Sequence, residues 1–83
     1  MDTTERNELR KMIGELIEVE DFNDDEHFVR DLGVDSMMAL EMVSRIEKRY
    51  GIRIPEESLR QMATFNDIVE VTEGALAKSA VSG

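Results

Sequence analysis

The chain has no cysteine, so it can form neither a disulfide nor a thiolate metal site, and any thiol chemistry must come from a prosthetic group. Absence of cysteine also fits a reducing compartment. It has one proline, one histidine and four aromatic residues in 83. The lone His27 is the only base within reach of any serine nucleophile, and no Gly-x-Ser-x-Gly motif accompanies it. No apolar run approaches the ~20 residues of a membrane span, and Met1 to Glu8 lack the basic and apolar regions of a signal peptide. Positive charge is scarce too. The net charge of -9, without a basic patch interleaved with aromatics, excludes direct nucleic-acid binding. A chain this short builds one small core, too small to shelter a substrate with a full catalytic constellation, although a core that parts for a slender chain is feasible. These absences predict a soluble, cytoplasmic, monomeric, non-enzymatic domain.

What remains is acid, unevenly placed. Residues 15–35 carry nine acids and one base, a net of -8, whereas residues 36–49 carry two acids and three bases, a net of +1. The excess charge therefore lies immediately before Ser36. The stretch Asp31-Leu-Gly-Val-Asp-Ser-Met37 joins that acidic segment to an amphipathic helix. Gly33 permits a tight turn, Asp35 is a favoured N-cap, and Ser36 falls in the first helical turn. A helix start offers unpaired N–H groups and a partial positive charge, which suits a phosphate ester.

Along the chain, Leu9, Met12, Ile13, Leu16 and Ile17 form one apolar face of a first helix beginning near Thr4, with Thr3 or Thr4 as its cap. Gly14 inside it weakens the helix by about 0.5–1 kcal/mol, so packing must hold it. Residues 18–35 form a long connection pinned to the core by Phe22, Phe28, Leu32 and Val34. Asp21, Asn23 and Asp25 alternate as in a calcium loop, but Glu26 replaces the turn glycine and Leu32 the bidentate glutamate, so no metal site is expected. A second helix, from about Ser36 to Tyr50, turns Ala39, Val43, Ile46 and Tyr50 inward, with Leu40 and Met42 at the margins of the stripe. Met37, Glu41, Ser44, Arg45 and Lys48 lie opposite, and Met38 falls toward that polar side. Gly51 ends the helix, Ile52-Arg-Ile54 is a short extended link, and Pro55 opens a short helix through Met62. A last helix starts near Thr64 to Asn66, with Asn66 as cap, and frays from Ser79.

The predicted fold is all-α: a small right-handed bundle of three main helices plus one short helix, with a long first loop. It is a single domain over residues 1–83, ordered over about 4–77 and frayed over 78–83. The predicted core is Leu9, Ile13, Leu16, Phe28, Val43, Ile46, Ile54, Met62, Ile68 and Val71.

The run Asp31-Leu-Gly-Val-Asp-Ser-Met37, with Glu41 and the later Ile54-Pro-Glu-Glu57, resembles the acyl carrier proteins over nearly the whole chain. In that family the serine of Asp-Ser-Leu/Met receives 4'-phosphopantetheine from coenzyme A, and acyl intermediates ride on its thiol as thioesters. The resemblance implies that Ser36 is the attachment site and that a phosphopantetheinyl transferase, a ketosynthase, an acyltransferase and other synthase enzymes are partners. The same bundle is implied by resemblance and by periodicity.

Ser36 alone could be a plain helix-start residue of an unmodified interaction module, but Ser44, Ser58, Ser79 and Ser82 lack its Leu-Gly-x-Asp approach. The sequence departs from peptidyl carriers, which resemble Gly-Gly-His/Asp-Ser-Leu. It departs from many fatty-acid carriers as well, because Met38 stands where an acid is common, Ser44 where an apolar docking residue is common, and Arg45, Lys48 and Arg49 make the helix's second half basic. A polyketide or other specialised-metabolite synthase is the implied setting. Docking is expected on Asp31, Asp35, Met37, Met38 and Glu41, with Glu41 partly neutralised by Arg45. Arg45, Lys48 and Arg49 would discriminate among partners.

Overall fold

The computed structural model describes the backbone of residues 1–81 and the side chains of residues 1–78. Four helices follow one another: α1 (Thr3–Ile17), α2 (Ser36–Tyr50), the single turn α3 (Glu56–Leu59) and α4 (Phe65–Val81), and no strand forms among the described residues. Helix α1 is capped by Asp2, whose carboxylate accepts the Glu5 N–H, so neither Thr3 nor Thr4 serves as the cap. Leu9, Ile13 and Ile17 are buried at its i, i+4, i+8 positions, with Met12 and Leu16 half-buried beside them. The helix closes on Glu18, a non-glycine residue at φ 60°, with the Glu18 and Val19 N–H groups both reaching the Gly14 carbonyl. Gly14 is buried because the chain doubles back over it. A Cβ there would stand 2.8 Å from the Val19 carbonyl oxygen.

The acidic connection is held down by its apolar residues, as predicted. Phe22, Phe28 and Val34 are buried and Leu32 half-buried, and Phe22 packs tilted against Phe28 and edge-on against Phe65, with ring centroids 5.7 and 5.9 Å apart. Two backbone bonds, Phe28 N–H to the Ala63 carbonyl and Asn66 N–H to the Asp24 carbonyl, tie the connection to the start of α4. Part of its charge is matched from α1: Asp24 pairs with both Arg6 and Arg10, and the Arg10 guanidinium lies 4.6 Å from the centroids of Phe22 and Phe65.

The remaining boundaries shift in physically simple ways. Pro55 is the N-cap of α3, not its first residue, and that helix ends at Leu59 instead of continuing to Met62. Helix α4 is opened by a reciprocal pair, in which the Asp67 carboxylate accepts the Ala63 and Thr64 N–H groups while Thr64 Oγ1 accepts the Asp67 N–H. Asn66 is thus free of capping, and its side chain instead accepts from Arg6. Helix α4 continues through Val81 where the sequence predicted fraying from Ser79, and Ser82 and Gly83 lie outside the described residues.

The core is wider than predicted. Leu9, Ile13, Phe28, Ile46, Ile54 and Ile68 are buried in it, but Leu16, Val43, Met62 and Val71 are only half-buried. Ile17, Phe22, Val34, Met42, Ile52, Phe65 and Val69 complete it.

Candidate functional site

Ser36 is exposed and is the first residue of α2. Gly33, at φ 71°, turns the chain in a conformation that a side chain would strain, and extended Asp35 then caps the helix by accepting the Met38 N–H at 2.9 Å. The Ala39 N–H reaches the Asp35 carbonyl, which leaves the N–H groups of the first turn, at Ser36 and Met37, without an intrahelical acceptor.

Behind Ser36 a cavity of about 300 Å³ opens into the bundle. Its walls are Phe28 and Val34 from the connection, Ala39, Met42 and Val43 from α2, Leu59 and Met62 from the α3 turn, and Ile68 from α4. Val29, Ser36 and Leu40 stand at its rim, and Ser36 is the one polar residue in the lining. The serine therefore sits where one group can lie in water and a chain attached to it can turn into an apolar slot.

The other predicted site residues divide. Asp31, Asp35, Met37, Glu41, Arg45 and Lys48 are exposed, with Met37 at 73%. Asp31 also closes a turn, accepting the His27 N–H at 2.8 Å. Met38 is a correction: it is half-buried against the core, on the side of α2 that carries Arg49, and Arg49 reaches Glu8 of α1 at 2.8 Å. Leu40 is the converse correction. Assigned to the margin of the buried stripe, it is 59% exposed, while Met42, assigned to the same margin, is 4% exposed. No Glu41–Arg45 ion pair forms among the described residues, and the other α2 acid, Glu47, turns inward to accept the Ile54 N–H at 2.9 Å. Val29, 59% exposed, was missed altogether. His27 is occupied within its own turn, its Nδ1 accepting the Val29 and Arg30 N–H groups at 3.2 Å.

The family described as "Phosphopantetheine attachment site" matches residues 7–72, so the chain belongs to that family. Within it the chain is similar to acyl carrier proteins. It is 32% identical over 74 residues to polyketide-8 synthase acyl carrier protein 2 of Streptomyces avermitilis, covering 87% of this chain and 85% of that one. It is 36% identical over 80 residues to the acyl carrier protein of Rhodococcus erythropolis, covering 88% of each. Among solved structures, a chain of "The ishigamide ketosynthase/chain length factor" superposes with a TM-score of 0.77 at 26% identity, covering 92% of this chain and 99% of that one. The protein is a carrier protein, and the prosthetic group of the family is 4'-phosphopantetheine.

The residues present fit that group. An exposed hydroxyl offers the oxygen of a phosphodiester, the unpaired first-turn N–H groups offer donors to a phosphate, and the apolar cavity begins at the same residue. When bound, the group supplies the thiol that a cysteine-free chain lacks.

Proposed function

We propose that Ser36 carries the 4'-phosphopantetheine arm and that the protein presents acyl or polyketide intermediates, held as thioesters, to the enzymes of a specialised-metabolite synthase. The observation that carries this reading is the coincidence at one residue of an exposed helix-start hydroxyl and the mouth of an apolar cavity. Ser36 Oγ forms the ester, the first-turn N–H groups steady the phosphate, and the cavity shelters an apolar cargo from water between transfers. The protein itself catalyses nothing. Its one histidine is held in a turn of the connection, which supports carriage over nucleophilic catalysis by Ser36.

The polyketide setting is supported by the likeness to the Streptomyces avermitilis carrier and to a chain of the ishigamide ketosynthase/chain length factor structure. A phosphopantetheinyl transferase loads the arm. A ketosynthase and an acyltransferase then use it, docking on Asp31, Asp35, Met37 and Glu41 around the serine, with Leu40 and Val29 joining them in place of half-buried Met38. No described helix is long and apolar enough to cross a membrane. The protein works as a cytoplasmic monomer.

Protein purified from its native source tests the reading. Proteolysis should yield the Ser36 peptide bearing the arm, and neutral hydroxylamine should release the acyl group as a hydroxamate that identifies the cargo. An arm on another serine, or a Ser36 peptide bare throughout production of the metabolite, contradicts it.

A further inference from the structure

Among the described residues, the three exposed large apolar side chains, Val29, Met37 and Leu40, gather at the Ser36 end of α2. Met37 follows Ser36 directly in the chain, and Val29 and Leu40 share the cavity rim with Ser36. Scattered apolar residues are ordinary on a surface, but three grouped around one functional residue form a patch. Beyond the patch, the outer face of α2 continues through Glu41, Ser44, Arg45 and Lys48, all exposed. Of the helix's other two charges, half-buried Glu47 accepts the Ile54 N–H, and Arg49, though exposed, turns toward α1 and pairs with Glu8. The outer-face charges left unpaired among the described residues are one acid near Ser36, Glu41, and two cations farther along, Arg45 and Lys48. With Asp31 and Asp35 before the helix, the surface is acidic and apolar at Ser36 and basic at the far end.

We infer that this face docks onto partner enzymes with a two-signed surface: an apolar recess and cations around the active-site mouth, and carboxylates facing Arg45 and Lys48. Along the helix those two residues lie about 14 and 18 Å from Ser36, which sets where the partner's carboxylates stand. A partner whose whole docking surface is cationic meets attraction at the serine and repulsion at the other end. Like-charge juxtaposition at an interface opposes association, mostly through the encounter rate. The inference rests on the carrier reading, since it takes Ser36 as the point delivered to the active site.

The test uses arm-loaded protein, with loading at Ser36 verified by mass for every variant, and a fatty-acid-type ketosynthase whose entrance is lined by lysine and arginine as the probe. If wild-type protein takes up no arm, the carrier reading fails; the docking inference is judged only on loaded protein. Lys48→Glu and the double variant R45E/K48E should raise kcat/KM at low salt, the double by about tenfold, and the gain should fade as NaCl approaches about 0.5 M. Arg49→Glu makes the same charge change one residue away but on the side facing α1, and should raise kcat/KM less than Lys48→Glu does. Should that variant prove unfolded by circular dichroism, exposed Arg53→Glu, outside α2, takes its place. M37A/L40A should lower kcat/KM at every salt concentration. The inference is overturned if Lys48→Glu and the control act alike, if none of the charge reversals changes kcat/KM, or if R45E/K48E alters self-association in sedimentation, which would make the face a contact between copies.

Discussion

Replacing Gly14 with alanine should destabilise the protein, although helix propensity taken alone predicts the reverse. In an isolated helix the change is favourable by about 0.5–1 kcal/mol. In the folded chain the new methyl would stand 2.8 Å from the Val19 carbonyl oxygen and 3.7 Å from the Phe22 ring. The carbonyl is backbone, fixed by the Val19 N–H to Gly14 carbonyl bond of 3.0 Å and by the turn at Glu18, so it cannot swing aside as a side-chain tip could. Clearing the contact requires a shift of about half an ångström in a close-packed region, and overpacking of this kind costs about 1–3 kcal/mol. The net loss is about 1–2 kcal/mol. For a domain of this size each kcal/mol moves Tm by about 4–8 °C, so a fall of about 5–15 °C is expected. Thermal melting followed by far-ultraviolet circular dichroism measures it, with a peptide of residues 1–18 as the local comparison. The peptide should gain helicity from the same substitution. An intact protein whose Tm stays level or rises would refute the close-approach reasoning.

Three further outcomes follow from the packing. Arg10→Ala should cost about 1–2 kcal/mol in chemical denaturation, because Arg10 stacks on Phe22 and Phe65 and pairs with Asp24; no loss would show that this clasp is ornamental. Thr72→Val should stabilise by about 1 kcal/mol, since Thr72 is fully buried and its hydroxyl has no partner, whereas a destabilised variant would mean that the hydroxyl is bonded. Added salt or millimolar magnesium should raise Tm, because the net charge of -8 over residues 15–35 exceeds what Arg6 and Arg10 neutralise. A flat or falling Tm would show that the carboxylates are too far apart to repel.

Much of the fold is written in local patterns. The spacing of Leu9, Ile13 and Ile17, the alternation of Ile52, Arg53 and Ile54, the stop at Gly51 and the Asp35 cap before Ser36 each depend on a few neighbouring residues, and each is as predicted. Periodicity places residues around a helix but does not say which side its neighbours cover. Met38 and Leu40 flank the buried stripe of α2 at comparable angles on opposite sides, and the core covers one while the cavity mouth leaves the other open. Phe65 was missed because it precedes the point where the last helix's pattern becomes evident. Stepping back from Ile68, Val69 and Thr72 at three- and four-residue intervals would have found it. Contacts such as Arg10 with Asp24, or Arg49 with Glu8, join residues distant in the chain, and no local pattern announces them.

The central claim is that Ser36 is the attachment point, and the intact mass after incubation with coenzyme A and a phosphopantetheinyl transferase tests it most directly. Wild-type protein should gain the mass of one arm. Ser36→Ala should gain none while keeping the helical spectrum and Tm of the parent, because the exposed hydroxyl contributes no packing. A Ser36→Ala protein that still acquires the arm, or a folded wild type that never does, would contradict the account.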